Sequence, residues 1–228
     1  MSSVDGRLIP SRWTQPFDGT PQTDVMACYA VAARHLDTDA WMFGKATLRE
    51  TVPARYMSFT RRHPKAGTVY RGNLKSDRLF IVVDPDADIR FSTDTVRDDN
   101  IIVILGRNAT TDYLSMLEHI EVSYVVTENP TDLRRGMELV GEHFGVKSVS
   151  LQGGGIINGA MLAAGLVDEL SLLVYPGIDG LTTSPSIFEY LGASDEYPAC
   201  GQSLELLSSR TLDHGVVWLR YRLHHGED

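Results

Sequence analysis

Three consecutive glycines, Gly153-Gly154-Gly155, follow the run Ser148-Val149-Ser150-Leu151-Gln152 and lead straight into Ile156-Ile157-Asn158-Gly159. A short buried strand, a turn without side chains and a helix start, in that order, suit the grip of an anion such as a pyrophosphate. Glycine lets the main chain approach a ligand closely, and the first turn of a helix carries N–H groups without intrahelical acceptors at the positive end of its dipole. The spacing departs from the dinucleotide fingerprint G-x-G-x-x-G, because Asn158 stands where the third glycine belongs, and no Gly-Lys-Ser/Thr is present. A tight turn that binds nothing is the competing reading, but it leaves three glycines costing backbone entropy without a packing gain.

A second strand end has a similar composition: Trp41-Met42-Phe43-Gly44-Lys45-Ala46-Thr47. A lysine, a hydroxyl and main-chain N–H groups together make a phosphate clamp, although Thr47 alone would serve equally as a helix cap. Other chemistries lack their residues. The seven histidines show no H-E-x-x-H or other ligand spacing, so no metal site is expected. There is no G-x-S-x-G elbow, and Cys28 falls in a predicted amphipathic helix, where it reads as core. With no catalytic acid or nucleophile to single out, the pattern favours chemistry carried by a bound cofactor.

The formal net charge of −9 argues against a nucleic-acid partner, which would call for a basic surface. Between Lys45 and Arg78, however, nine basic residues stand against two acids. That local excess suits a small phosphorylated ligand, or simply pairs with the acidic remainder of the chain. No apolar run reaches the ~18–20 residues needed to cross a bilayer. The opening residues contain no signal-peptide-like stretch, and two cysteines cannot build a disulfide framework, so a cytoplasmic protein is expected.

The elements that must position these turns are legible as alternating strands and helices. Apolar, β-branched runs at Leu79–Val83, Ile101–Leu105, Val122–Thr127, Val146–Leu151 and Leu170–Tyr175 predict strands covered on both faces, and Asp39–Phe43 a shorter one ending at Gly44. Helical spacing joins Val25, Tyr29, Ala32 and Leu36 (with Thr23 or Asp24 as cap), then Tyr113, Leu117 and Ile120. It joins Leu133, Met137, Val140 and Phe144 (with Thr131 as cap), and a fourth helix runs from about Ile156 to Ala164 with Gly165 at C′. Ser203–Ser208 and Val216–Leu223, flanking Asp213-His214-Gly215, predict an antiparallel hairpin attached to the sheet. Ile9–Gln22 and Ala54–Lys75 show no periodicity, and the second is long enough to be a functional flap. The expected fold is α/β, one domain over residues 1–228, with a central mostly parallel mixed sheet flanked by helices and a C-terminal antiparallel hairpin.

These residues carry a resemblance. Gln152-Gly153-Gly154-Gly155, the helix that follows and Ala164-Gly165-Leu166-Val167-Asp168-Glu169-Leu170 resemble the "E-G-G-x … F-L-x-x-G-L-V-D-E-L" block of the riboflavin-biosynthesis reductase domain. That domain is the C-terminal type of the bacterial bifunctional deaminase-reductases, within the dihydrofolate reductase-like group. Met1-Ser2-Ser3-Val4-Asp5-Gly6-Arg7 is similar to the family's "M-S-L-D-G-x-I" start, Ser11 and Trp13 to its S-x-W, and Gly44-Lys45-Ala46-Thr47 to its G-R-x-T turn.

The resemblance implies a dihydrofolate reductase-like domain, NADPH as cofactor and a homodimer. It also implies hydride transfer to C1′ of a phosphorylated ribosylaminopyrimidine, or a related heterocycle, converting ribosylamino to ribitylamino. The cofactor-binding residues expected are Gly44, Lys45, Thr47, Arg107 (for the 2′-phosphate), Gly153, Gly154, Gly155 and Ile156; those on the substrate side are Asp5, Ser11, Trp13 and Gln152.

Three departures stand out. Gln152 replaces the family's Glu, and Leu48-Arg49-Glu50-Thr51-Val52 stands where "A-D-D-P-x-L-T-V-R" is usual. The chain also opens at the Met-Ser motif without the apolar strand that precedes it in relatives, as a shortened start would. A non-catalytic nucleotide-binding or regulatory protein that kept the cofactor turn is the alternative function.

Overall fold

The computed structural model describes residues 1–45, 55–56 (main chain only) and 63–226. Thr47, the Leu48–Val52 segment and the basic residues Arg49, Arg61 and Arg62 lie outside the described residues. The chain divides into two compact units, a mid-chain unit of Thr38–Gly153 and a terminal unit of Met1–Asp37 with Gly154–Asp228.

The mid-chain unit carries strands β1 (Ala40–Gly44), β2 (Arg55–Tyr56), β3 (Val69–Tyr70), β4 (Leu79–Val83), β5 (Ile89–Arg90), β6 (Thr95–Val96), β7 (Asp99–Gly106), β8 (Ser123–Thr127) and β9 (Val149–Leu151). Five of them are parallel in the order β9-β1-β4-β7-β8. β3 joins β8 and β6 joins β7 antiparallel, while β2 pairs with β5 apart from the main sheet. Every residue of β4, β7 and β8 is buried, as their unbroken apolar runs require.

One face of this sheet packs Phe80, Val82, Val103, Leu105 and Val126 against Tyr113 and Leu117 of α2. Here α1 is Gln22–Arg34, α2 Thr111–His119, α3 Leu133–Phe144 and α4 Gly155–Ala163. On the other face α3 approaches so closely that a Cβ on Gly136 would lie 2.7 Å from Ile104 Cγ2. Thr110 caps α2 by accepting the Tyr113 N–H. Asp132, not the expected Thr131, caps α3 by accepting the Arg135 N–H; the Thr131 hydroxyl bonds to Asn129 instead.

In the terminal unit β10 (Glu169–Val174), β12 (Val217–His225) and β11 (Gln202–Thr211) form an antiparallel sheet in that order, extended by a parallel bridge between Ser2 and Val174. The hairpin of the sequence reading is present, but it pairs with β10 in a separate sheet. β10 is only partly buried, because antiparallel strands with one wet face tolerate the exposure that a central parallel strand does not. The unit's core is Trp13, Val25, Cys28, Ala32, Leu173, Tyr175, Val216 and Trp218. α1 starts one residue before Thr23, directly after Pro21, with no side-chain cap. Gly165 ends α4 at φ 63°, as expected of a C′ glycine. The mixed, mostly parallel sheet with flanking helices and a C-terminal antiparallel hairpin bears out the expected fold class.

Candidate functional site

Parallel pairing places all five carboxyl ends of the main sheet on one edge. From β1 the chain steps outward through β4, β7 and β8, and then β9 takes the opposite flank of β1. Such a reversal of strand order opens a crevice beyond the carboxyl ends of the two strands concerned, which is where α/β sheets bind ligands. Here the two turns singled out in the sequence meet. The Gln152 N–H donates to Met42 O at 2.8 Å, and the Gly44 N–H donates to Gly153 O at 3.0 Å. Gly153 holds φ 98°, in the left-handed region that favours glycine. The Gln152 amide nitrogen bonds Ser150 Oγ, while its buried oxygen, Oε1, has no hydrogen-bond partner. A buried acceptor left unpaired beside a bare turn suits a ligand that brings a donor.

The cations at this edge are already engaged. The Lys45 ammonium is held by Asp84 at 3.4 Å, Asp86 at 2.7 Å and, closest, Asp88. Burial pulls its pKa down, but bonds to Asp86 and Asp88 and the charges of Asp84 and Asp88 outweigh that, and it stands above the ordinary lysine value. Asp84, fully buried at the end of β4, also accepts the Tyr113 hydroxyl and the N–H groups of Asp88 and Ile89. Burial first, and the Asp84 charge second, push the Tyr113 phenol well above its usual range. Arg107, beyond the end of β7, pairs with Glu128 beyond the end of β8, both largely exposed. Elsewhere in the basic segment Lys75 pairs with Asp94, and Arg78 pairs with Asp99 and lies over Trp41. For these residues the reading as charges that pair with the acidic remainder is the one realised.

The remaining glycines of the triplet belong to the terminal unit and do different work. Gly154 is the N-cap of α4, with extended main chain and no side-chain cap. A Cβ on Gly155 would lie 2.3 Å from Ser186 O and 3.1 Å from the Glu189 carboxylate, and one on Gly159 would lie 2.1 Å from Glu189 O. These two glycines let α4 dock against the 186–190 segment, which Asn158 secures by donating to Ile187 O. The side of Gly155 that the sequence reading left for a ligand is therefore filled by the protein's own chain. Ile156 remains about half exposed.

Of the substrate-side candidates in this unit, Asp5 accepts bonds from the Ser3 hydroxyl and from the N–H groups of Asp179 and Gly180. Those bonds, Ser3 foremost, lower its pKa to about 2. Trp13 is a core residue, 3% exposed, with its ring 4.9 Å from that of Tyr175. Ser11 is exposed in the short 3-10 turn Pro10–Arg12. The sequence reading missed Asp84, Asp86, Asp88, Tyr113 and Glu189. The signal for the first three was available: Asp84-Pro85-Asp86-Ala87-Asp88 follows a buried strand directly. Among the described residues no group of three or more His, Cys, Asp or Glu could hold a metal ion.

Known proteins share this fold. A pyrimidine reductase-like protein from Corynebacterium diphtheriae matches with a TM-score of 0.64 at 18% identity, over 98% of this chain and 89% of that one. The riboflavin biosynthesis reductase of Saccharomyces cerevisiae gives 0.60 at 18% identity, over 98% and 86%. RibD of Acinetobacter baumannii gives 0.58 at 17% identity, over 98% of this chain and 56% of its own. At such identities the likeness shows the fold; the family rests on the sequence, whose residues 1–218 match the RibD C-terminal domain. The chain belongs to the RibD C-terminal domain family.

Proposed function

We propose that this chain is an NADPH-dependent reductase that passes a hydride to C1′ of a phosphorylated ribosylaminopyrimidine or a close heterocyclic relative. The observation that carries the reading is the meeting of the Gly44 and Gly153 turns at the carboxyl ends of β1 and β9, where strand order reverses, in a chain of this family.

NADPH, when bound, supplies the hydride. The chain's part is to bind and orient. Main-chain N–H groups around Gly44 and Gly153, and those of Gly154, Gly155 and Ile156 in the first turn of α4, are the donors suited to phosphate. Lys45 and Arg107 are its cationic partners, each of which must first exchange a carboxylate neighbour. Thr47 stays assigned to the phosphates on its sequence position.

On the substrate side we assign Gln152 through its unpaired Oε1 and Ser11 through its exposed hydroxyl. Asp5 acts by holding the loop around it, and Trp13 by packing its ring on Tyr175, with its buried Nε1 left unpaired. Positioning of this kind can supply several kcal/mol, on the order of 7–11, without a dedicated acid. We further propose that the two units work as one reductase domain, in a cytoplasmic homodimer.

Mixing the protein with NADPH and a phosphorylated ribosylaminopyrimidine should consume nicotinamide absorbance and yield the ribitylamino product. Saturable NADPH binding without oxidation would favour the regulatory alternative.

A further inference from the structure

The three carboxylates around Lys45 differ in how firmly they are held. Asp84 is fixed: its side chain is 0% exposed, and one oxygen takes the Tyr113 hydroxyl at 2.9 Å and two main-chain N–H groups at 3.0 Å. Asp88 is intermediate, at 30% exposure. Asp86 reaches the ammonium at 2.7 Å from a side chain that is 67% exposed, so water can solvate it as soon as it lets go. One ammonium among three carboxylates leaves a net negative cluster at the end of β1 and β4. A nucleotide phosphate added to that cluster would be repelled, whereas one that takes the place of a carboxylate keeps the charge balance.

We propose that Asp86 is an exchangeable internal counter-anion: a phosphate group of the nucleotide takes its place on Lys45, while Asp84 keeps the lysine aimed. Asp86 then sets affinity and salt dependence without entering the hydride transfer, and the idea rests on the cofactor reading above. Because one ion pair replaces another, NADPH binding to the native protein is less sensitive to salt than a phosphate–lysine contact alone would be.

Calorimetric titration of NADPH and of inorganic pyrophosphate into the native protein, Asp86→Asn, Lys45→Ala and the double variant tests this. A thermal melt of each confirms folding. At low ionic strength Asp86→Asn should bind both ligands about three- to fivefold more tightly, with a steeper loss as salt rises, since an exposed ion pair is weak and no longer has to be broken. The gain should vanish when Lys45 is absent. Equal or weaker binding by Asp86→Asn, or a gain that persists without Lys45, overturns the exchange while leaving the cofactor reading intact. A native protein that binds neither ligand overturns the cofactor reading itself, and the exchange with it.

Discussion

The parallel sheet of the mid-chain unit and the antiparallel sheet of the terminal unit cover apolar surface in opposite ways. In β4, β7 and β8 no residue escapes burial, whereas Leu204 and Leu206 of β11 are 57% and 55% exposed. The loops differ too. Parallel pairing collects Gly44, Lys45, Asp84, Arg107, Glu128 and Gln152 at one edge, because every carboxyl end points the same way. Antiparallel pairing alternates the ends, and the β11–β12 connection is a short 3-10 turn at Asp213–Gly215. The candidate site residues gather where topology gathers chain ends, above strands that are buried throughout.

This contrast can be sharpened by substitution. Ile104→Ala removes a fully buried side chain from β7 and should cost about 2–5 kcal/mol in urea unfolding, whereas Leu204→Ala should stay within about 0.5 kcal/mol. Equal costs would mean that β11 is covered in solution and that the exposure difference misleads. Gly155→Ala forces a methyl against Ser186 O and should lose about 1–3 kcal/mol of stability. Gly154→Val, at the N-cap of α4 where valine is less favourable than glycine, should cost about 1 kcal/mol in melting while weakening NADPH binding by about tenfold, or 1.4 kcal/mol. A variant at Gly154 that binds NADPH normally would make the whole triplet structural.

The smallest effect concerns Asp5. Its folded pKa, about 2, lies below the ordinary value of 3.8, so its bonds stabilise the fold above that value and are lost as pH falls toward 2. The stability gap between the native protein and Asp5→Asn should therefore be full at neutral pH and close between about pH 4 and pH 2, as followed by thermal melts. A gap that does not change over that range would remove the carboxylate's role.

What the sequence revealed follows the same division. Leu79–Val83 coincides with β4, and Leu133–Phe144 spans the whole of α3, because long apolar runs and a strong helical period admit one solution. β10 was legible as a strand but not in its sheet, since the run Leu170–Tyr175 reads alike in a parallel or an antiparallel setting. The two-residue strands β3, β5 and β6 carry no periodicity to detect. At the site, the Gly153 turn was visible because a left-handed bend calls for glycine. The docking role of Gly155 was not, because it depends on Ser186 and Glu189, more than 30 residues away. Nor could spacing alone reveal that Lys45, expected in a phosphate clamp, is already bound by three aspartates.

The central claim is that the crevice at the carboxyl ends of β1 and β9 holds the nucleotide. Amide hydrogen exchange followed along the whole chain, with and without saturating NADPH, tests it most directly. Exchange should slow in the peptides carrying Gly44–Lys45 and Gln152–Ile156 and stay unchanged in the β11–β12 hairpin. Slowing confined to the hairpin, with both glycine turns unaffected, would contradict the account.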